Sequence, residues 1–344
     1  MLIFDERLEI NPKDSLPNPL DLWDKLAGRY GGEKVVMFDL ETTGFSPKNA
    51  FIYIIGINLK MADGWHILQL FNDDGKSEPE MLKYFMDLLK DKTAIFHFNG
   101  SSFDIPFVRG RMEKIRQALG ITIEDRLSTL TSYDFYSEIS PFKYALGLLN
   151  VKQKTVELYL GLYRTDQYNG GQLIDVYLSF LSGGSMRNRD LVLLHNRDDM
   201  EGMFHLARLY SLTELYNGTF TIGPLSMEQQ SESLFLSADL SLEDPVPVPL
   251  TVTGRGVLLT GKERTLTLRL PLTLGPLTCR ITKEEQEGFF LPDMDYTGAV
   301  HFGNPSEKKG DYISANDELL GNPDRLKAYI TCCVKKLMKQ RGKC

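Results

Sequence analysis

The apolar run Val35-Val36-Met37-Phe38 carries straight into Asp39-Leu40-Glu41 and stops at Thr42-Thr43-Gly44. Read as a strand, it projects Asp39 and Glu41 from one face, because side chains alternate with period two. Two carboxylates side by side repel, and setting them at the end of a hydrophobic strand is costly unless something neutralises them. A divalent cation is the usual answer. The competing reading is an edge strand with a solvated acidic end. Further acids elsewhere in the chain decide between the two.

Two more strands are expected after this one, over 51–59 and 65–71, separated by the turn Ala62-Asp63-Gly64. Met81, Leu82, Phe85, Leu88 and Leu89 recur at helical spacing, which predicts a helix over 78–89. A fourth strand is expected at 93–98, a helix over 103–119, a fifth strand over 127–135, and helices from 142 to 215. The order β-β-β-α-β-α-β-α is that of an RNase H-like fold, a mixed α/β sheet flanked by helices. Near Thr219 the texture changes to short alternating runs, 234–240, 246–252, 257–259 and 265–270, punctuated by Pro and Gly. Such alternation predicts a second, smaller β-rich domain. The expected division is an N-terminal arm with a short helix (1–33, with Pro12, Pro17 and Pro19), an α/β domain (34–218) and a β-rich domain (219–344). The last ends in a basic helix carrying Arg325, Lys327, Lys335, Lys336, Lys339, Arg341 and Lys343.

The second acidic motif, His97-Phe98-Asn99-Gly100-Ser101-Ser102-Phe103-Asp104, lies where a strand gives way to a helix. Asp104 falls in the first helical turn, from which its carboxylate can reach the sheet end bearing Asp39 and Glu41. Alternatively, Ser102 or Asp104 simply caps the helix. The third motif, His195-Asn196-Arg197-Asp198-Asp199, sits inside a long predicted helix, where His195 and Asp199 are one turn apart on one face. Asp198 is the alternative to Asp199. Asp39, Glu41, Asp104 and Asp199 are hard oxygen donors that suit Mg²⁺ or Mn²⁺. Four acids sharing two cations about 4 Å apart is an arrangement suited to phosphodiester hydrolysis. His195 is then placed to orient the water or take its proton.

Phe38-Asp39-Leu40-Glu41-Thr42-Thr43-Gly44 resembles the first motif of the DEDD, or DnaQ-like, 3′–5′ exonucleases. Asn99 with Phe103-Asp104 resembles the second motif, and the segment from His195 to Asp199 the third. The nearer resemblance is to the YprB-type RNase H-like proteins of bacteria, through Phe98-Asn99-Gly100, Phe103-Asp104-Ile105-Pro106, Tyr133-Asp134-Phe135-Tyr136, Gly170-Gly171-Gln172-Leu173-Ile174 and His195-Asn196 with Asp198-Asp199. It covers roughly 34–215. The resemblance implies a metal-dependent 3′–5′ exonuclease acting on a single-stranded DNA or RNA end. It also implies that Thr42, Thr43, Asn99 and Phe103 hold the terminal nucleotide. One departure stands out: the chain has a histidine at the spacing where one branch of the superfamily has its tyrosine. A different class, an inactive RNase H-like binding or regulatory protein whose β-rich domain recruits a partner, competes with the enzyme.

The net charge of −7 argues against a protein that coats nucleic acid without specificity, though a local groove or bound metal can reverse the sign where substrate sits. The opening residues reach the acids Asp5 and Glu6 almost at once and do not read as a signal peptide, and no apolar run approaches the roughly 18 residues that span a bilayer. Cys279, Cys332, Cys333 and Cys344 fit neither a zinc site nor a disulfide framework. A reduced, cytoplasmic setting is the expectation.

Overall fold

The computed structural model describes residues 1–10, 17–164, 168–303 and 312–339. Pro12 of the expected arm, and Arg341, Lys343 and Cys344 at the other end, lie outside the described residues. The chain forms two compact units, one of residues 1–139 with 151–207 and one of residues 140–150 with 208–344.

The first unit is built on a six-stranded mixed sheet. Its strands are β1 (Leu2–Arg7), β2 (Val35–Thr42), β3 (Ile52–Met61), β4 (Gly64–Phe71), β5 (Ala94–His97) and β6 (Thr131–Asp134), in the order β1-β4-β3-β2-β5-β6. Neighbours from β1 to β2 run antiparallel, whereas β2–β5 and β5–β6 are parallel. The helices are α1 (Pro19–Tyr30), α2 (Glu78–Leu88), α3 (Asp104–Leu119), the short α4 (Phe135–Ile139), α5 (Gln153–Tyr159), α6 (Gly170–Gly183) and α7 (Met186–Leu206).

Alternation along β2 explains the layering. Val36, Phe38 and Leu40 pack with Phe85 of α2 and Val108 of α3 in one core cluster. Met37 and Asp39 point the other way, towards α7. Tyr53, Ile54 and Phe71 form the second core with Tyr177 of α6 and Val192 of α7. Gly56 lies opposite Asp39 in the β2–β3 register, and a Cβ there would come within 2.5 Å of Asn196 on α7. Its lack of a side chain lets the helix approach the strand that carries the acids.

Two segments of the first unit differ from the sequence expectation. Residues 2–7, read as part of an arm, pair with β4 as an edge strand. That strand is mostly exposed, so it shows no buried stripe for periodicity to detect. The fifth expected strand is shorter than 127–135, because Leu127–Thr129 forms a 3₁₀ turn ahead of β6. The helix α1 follows its signals closely: Asn18 caps it, Pro19 opens it and Gly31 closes it in the left-handed conformation. Its Trp23 is fully buried and donates to the Phe204 carbonyl at 2.9 Å.

The second unit is a separate antiparallel sheet of β7 (Thr221–Gln230), β8 (Ser233–Gly254), β9 (Val257–Cys279), β10 (Glu285–Pro292), β11 (His301–Gly303) and β12 (Tyr312–Ser314), with α8 (Tyr210–Asn217), α9 (Asp317–Leu320) and α10 (Pro323–Met338). The runs expected as separate short strands merge into two long ones. Pro245, Pro247 and Pro249 cannot donate to a ladder, and the β8–β9 register shifts around them, at Ser241/Val246 and Val246/Leu250, so that the strand continues past. Arg255 and Gly256 turn the hairpin with positive φ at both positions, 52° and 77°. The lysines of α10 fold back on this unit. Lys327 lies over Phe220, Lys335 and Lys339 over Tyr216, and Lys336 pairs with Asp295. Cys279, Cys332 and Cys333 are free thiols. No described helix is long and apolar enough to cross a membrane.

Candidate active site

Strand β2 presents Asp39, partly exposed, and Glu41, buried, where its hydrophobic run ends. The next strand of the parallel half, β5, leads through Asn99, whose φ of 62° is left-handed, into the start of α3. The turn is tied down by the buried Asp134 at the end of β6, which accepts the backbone N–H groups of Asn99 at 2.7 Å and Ser101 at 3.3 Å. Gly100 donates to Nδ1 of the buried His97 at 3.1 Å, and the other ring nitrogen of His97 bonds to the Ser132 hydroxyl at 2.7 Å.

Asp104 then lies buried beside β2, where its carboxyl accepts the backbone N–H of Leu40, the residue between Asp39 and Glu41. Capping does not describe it, since the α3 N-cap has no side-chain hydrogen bond and the Ser102 hydroxyl turns to Asn99 instead. Burial pushes the Asp104 carboxyl up to about 7; its backbone hydrogen bonds oppose that, and the charges of Asp134 and Asp199 add to it.

Helix α7 brings His195 and Asp199 to the same place. The Nε2 atom of His195 is 3.3 Å from Asp199 and 3.6 Å from Glu41. One ligand atom from each of Glu41, His195 and Asp199 lies within 4.8 Å of the others. Asp39 lies near this cluster, within reach of Asn196 on the same helix: burial, and then the charges of Asp104, Asp199 and Glu41, hold its carboxyl well above the usual range. Such mutual repulsion among oxygen donors is what a hard divalent cation relieves, so the donor set fits Mg²⁺ or Mn²⁺. Asp198 lines a cavity of about 230 Å³ to which Glu157, Arg164, Arg197, Glu201 and His205 also contribute.

The residues read as nucleotide contacts are more dispersed. The Thr42 hydroxyl donates to the Gly44 carbonyl at 2.9 Å, and that of Thr43 accepts the Phe51 N–H at 3.0 Å, so both hydroxyls secure the loop after β2. Asn99 is exposed at its turn. Phe103 is partly buried, with the 87% exposed ring of Phe45 centred 6.5 Å away.

Several contributors are given no role by the motifs, Asn196 among them although it lies within one. Asn196 donates to Asp39 at 3.3 Å and accepts from Gln69 at 2.9 Å, and Tyr53 donates to Glu41 at 3.3 Å. Arg164, from the loop after α5, pairs with Asp199 at 2.6 Å and with the buried Glu157 at 2.5 Å. The one sequence signal for this pair is an acid, Glu157, amid the apolar Val156, Leu158 and Leu160.

No curated protein sequence matches the chain. Among solved structures, a family B DNA polymerase from the hyperthermophilic archaeon Pyrobaculum calidifontis is similar with a TM-score of 0.44 and 13% identity, over 89% of this chain and 46% of the polymerase. The chain thus spans less than half of that protein's length, and at this score the likeness says nothing of function. A family model of the RNase H superfamily matches residues 36–211, more than half of the sequence, and the chain belongs to that superfamily.

Proposed function

We propose that the first unit is a metal-dependent nuclease of the DEDD type, nearest to the YprB group, that removes nucleotides from the 3′ end of single-stranded DNA or RNA. The observation that carries this reading is the convergence of Asp39, Glu41, Asp104 and Asp199 from a strand, a helix start and a later helix, with Asp39 held well above the usual carboxylate range by burial and the other acids. Two divalent cations, when bound, supply the positive charge that activates a water and offsets the charge growing on the leaving oxygen. The four carboxylates hold them. His195, its Nε2 facing Glu41 and Asp199, accepts the proton of the attacking water. Asn196 and Tyr53 fix the orientation of Asp39 and Glu41 by hydrogen bonds. Phe103, which precedes Asp104 in the chain, and the exposed Phe45 offer aromatic rings on which an unpaired base can stack, and Thr42, Thr43 and Asn99 complete the nucleotide contacts of this reading. A cytoplasmic location goes with this reading.

The test is a purified protein given labelled single-stranded DNA or RNA with Mg²⁺ or Mn²⁺. Mononucleotides should leave stepwise from the 3′ end, and Asp39→Ala or Asp104→Ala should slow release by about 10³-fold or more. Binding of oligonucleotides without cleavage under either metal would replace this reading with that of an inactive binding protein.

A further inference from the structure

Glu157 of α5 is only 2% exposed, and Arg164 only 9%. Both guanidinium contacts to Glu157 are short, Nε at 2.5 Å and Nη2 at 2.6 Å, a bidentate fork that consumes both carboxylate oxygens. The third nitrogen, Nη1, is left to face Oδ1 of Asp199 at 2.6 Å, as a charged contact outside hydrogen-bond alignment. The opposite oxygen of Asp199, Oδ2, is the one turned to His195.

The surroundings are made to admit this clamp. Gly202 on α7 has no side chain where a Cβ would collide with Glu157, so α5 can lie against α7 at that point. Gln153 bridges the same elements, donating to Glu157 at 2.9 Å and to the backbone carbonyl of Asp199 at 2.7 Å. Asp199 is therefore gripped twice from α5 and its loop, once by its backbone and once by its carboxylate.

We infer that Arg164, locked by Glu157, is a positioning residue that ties up Oδ1 of Asp199 and so presents Oδ2 alone to the metal cluster. Asp199 is the ligand most in need of such control: it stands in mid-helix with its carboxylate between His195 and Arg164, whereas the carboxyl of Asp104 is held by backbone N–H groups. The guanidinium also places a permanent positive charge near the acids, and it works against their repulsion at Asp39. A lysine could supply the charge but not the fork, since an ammonium is a point donor that cannot grip Glu157 bidentately while facing Asp199.

The inference rests on the metal-dependent reading above, and its test is separable from it. Mn²⁺ is titrated calorimetrically into the full chain without substrate. Two variants are compared with the unaltered protein: Arg164→Lys, and the double change Glu157→Gln with Arg164→Gln, which leaves net charge as it was and keeps neutral amides in place of the buried pair. Thermal unfolding in chelator verifies that each is folded. Loss of the guanidinium that orients Asp199 by its charge should weaken Mn²⁺ binding about 10- to 100-fold in both. Unchanged affinity in a folded variant would make the pair a packing feature only, and tighter binding would make Arg164 a mere competitor of the metal; either overturns the inference while the nuclease reading stands. Failure of the unaltered protein to bind Mn²⁺ would remove both.

Discussion

The two units bury different things. In the second, the long strands β8 and β9 send Leu236, Ala238, Leu240, Leu266, Leu268 and Leu270 inward, all at most 3% exposed, and leave their charges outside. In the first, the sheet end where β2 and β5 meet α3 and α7 buries Glu41, Asp104, Asp134, Glu157, His195 and Asn196. Alternation is enough to build the strands of the second unit, because each needs only one apolar face, although the helical segment before them buries Arg208 and Glu214. Every buried group of the first needs a partner, and at Asp39 and Asp104 the hydrogen bonds from Asn196 and from backbone N–H groups work against the charges of the other acids. One unit is organised for burial, and the other gives up part of its stability to gather negative charge.

The sharpest way to break this comparison is a core deletion in the second unit. Leu268→Ala removes a fully buried side chain opposite Ala238 in the β8–β9 register, which leaves few atoms nearby to fill the space. Unfolding in denaturant should show a loss of about 2–5 kcal/mol. The rate of cleavage per folded molecule should be unaltered. A loss well under that range would mean that the ribbon relaxes around the gap and is not packed as its alternation implies.

In the first unit the expected sign is opposite. The folded protein keeps a proton on Asp104 up to about pH 7, whereas the unfolded chain releases it near 3.8. The folded state therefore binds more protons across that interval, and stability in the presence of chelator falls as pH rises from about 4 to 7. Asp104→Asn keeps an oxygen for the Leu40 N–H and removes the titration. It should raise stability at pH 8 in chelator by about 1–3 kcal/mol and flatten the pH dependence. The same change should eliminate cleavage. An Asn variant less stable than the parent at pH 8 would mean that the acids are not in conflict.

How far these arrangements are legible in the sequence follows from the range of the interactions. Period two sets Asp39 and Glu41 on β2, and the helical period puts His195 one turn from Asp199, 3.3 Å apart in the fold. Those are local rules. The prolines of β8 mislead a local reading because they resemble strand ends, while the pairing with β9 carries the strand through them. Gly56 and Gly202 matter only because α7 and α5 come close, which no nearby residue discloses. Arg164 is furthest from view: it stands outside any periodic element, and its role comes from Glu157 seven residues earlier and Asp199 thirty-five later. The arginine enters the acid cluster through tertiary contact alone.

The smallest effect sharpens the comparison at the sheet edges. Strand β1 is held to β4 partly by His66, whose Nδ1 meets Asp5 at 2.7 Å and whose Nε2 meets Asp63 at 3.0 Å. Only the imidazolium can donate from both nitrogens. Burial alone would lower the His66 pKa, but the bonds to Asp5 and Asp63 outweigh it and the value lies above the ordinary 6.5. The stabilisation is thus complete below pH 6.5 and is lost as pH rises through the raised value. Both carboxylates are well exposed, at 46% and 62%, so solvent screening keeps the effect small. Edge strand β7 of the other sheet offers a control, since its end is tied by Arg269 to the neutral Gln230. Amide exchange, corrected for intrinsic rates, should therefore accelerate in residues 2–7 between pH 6 and 8 and remain level in β7, with the contrast erased by His66→Gln. Equal behaviour of the two edges in the unaltered protein would show that β1 is held by its backbone ladder alone, and that the ionic tie at His66 adds nothing to the first unit's stability.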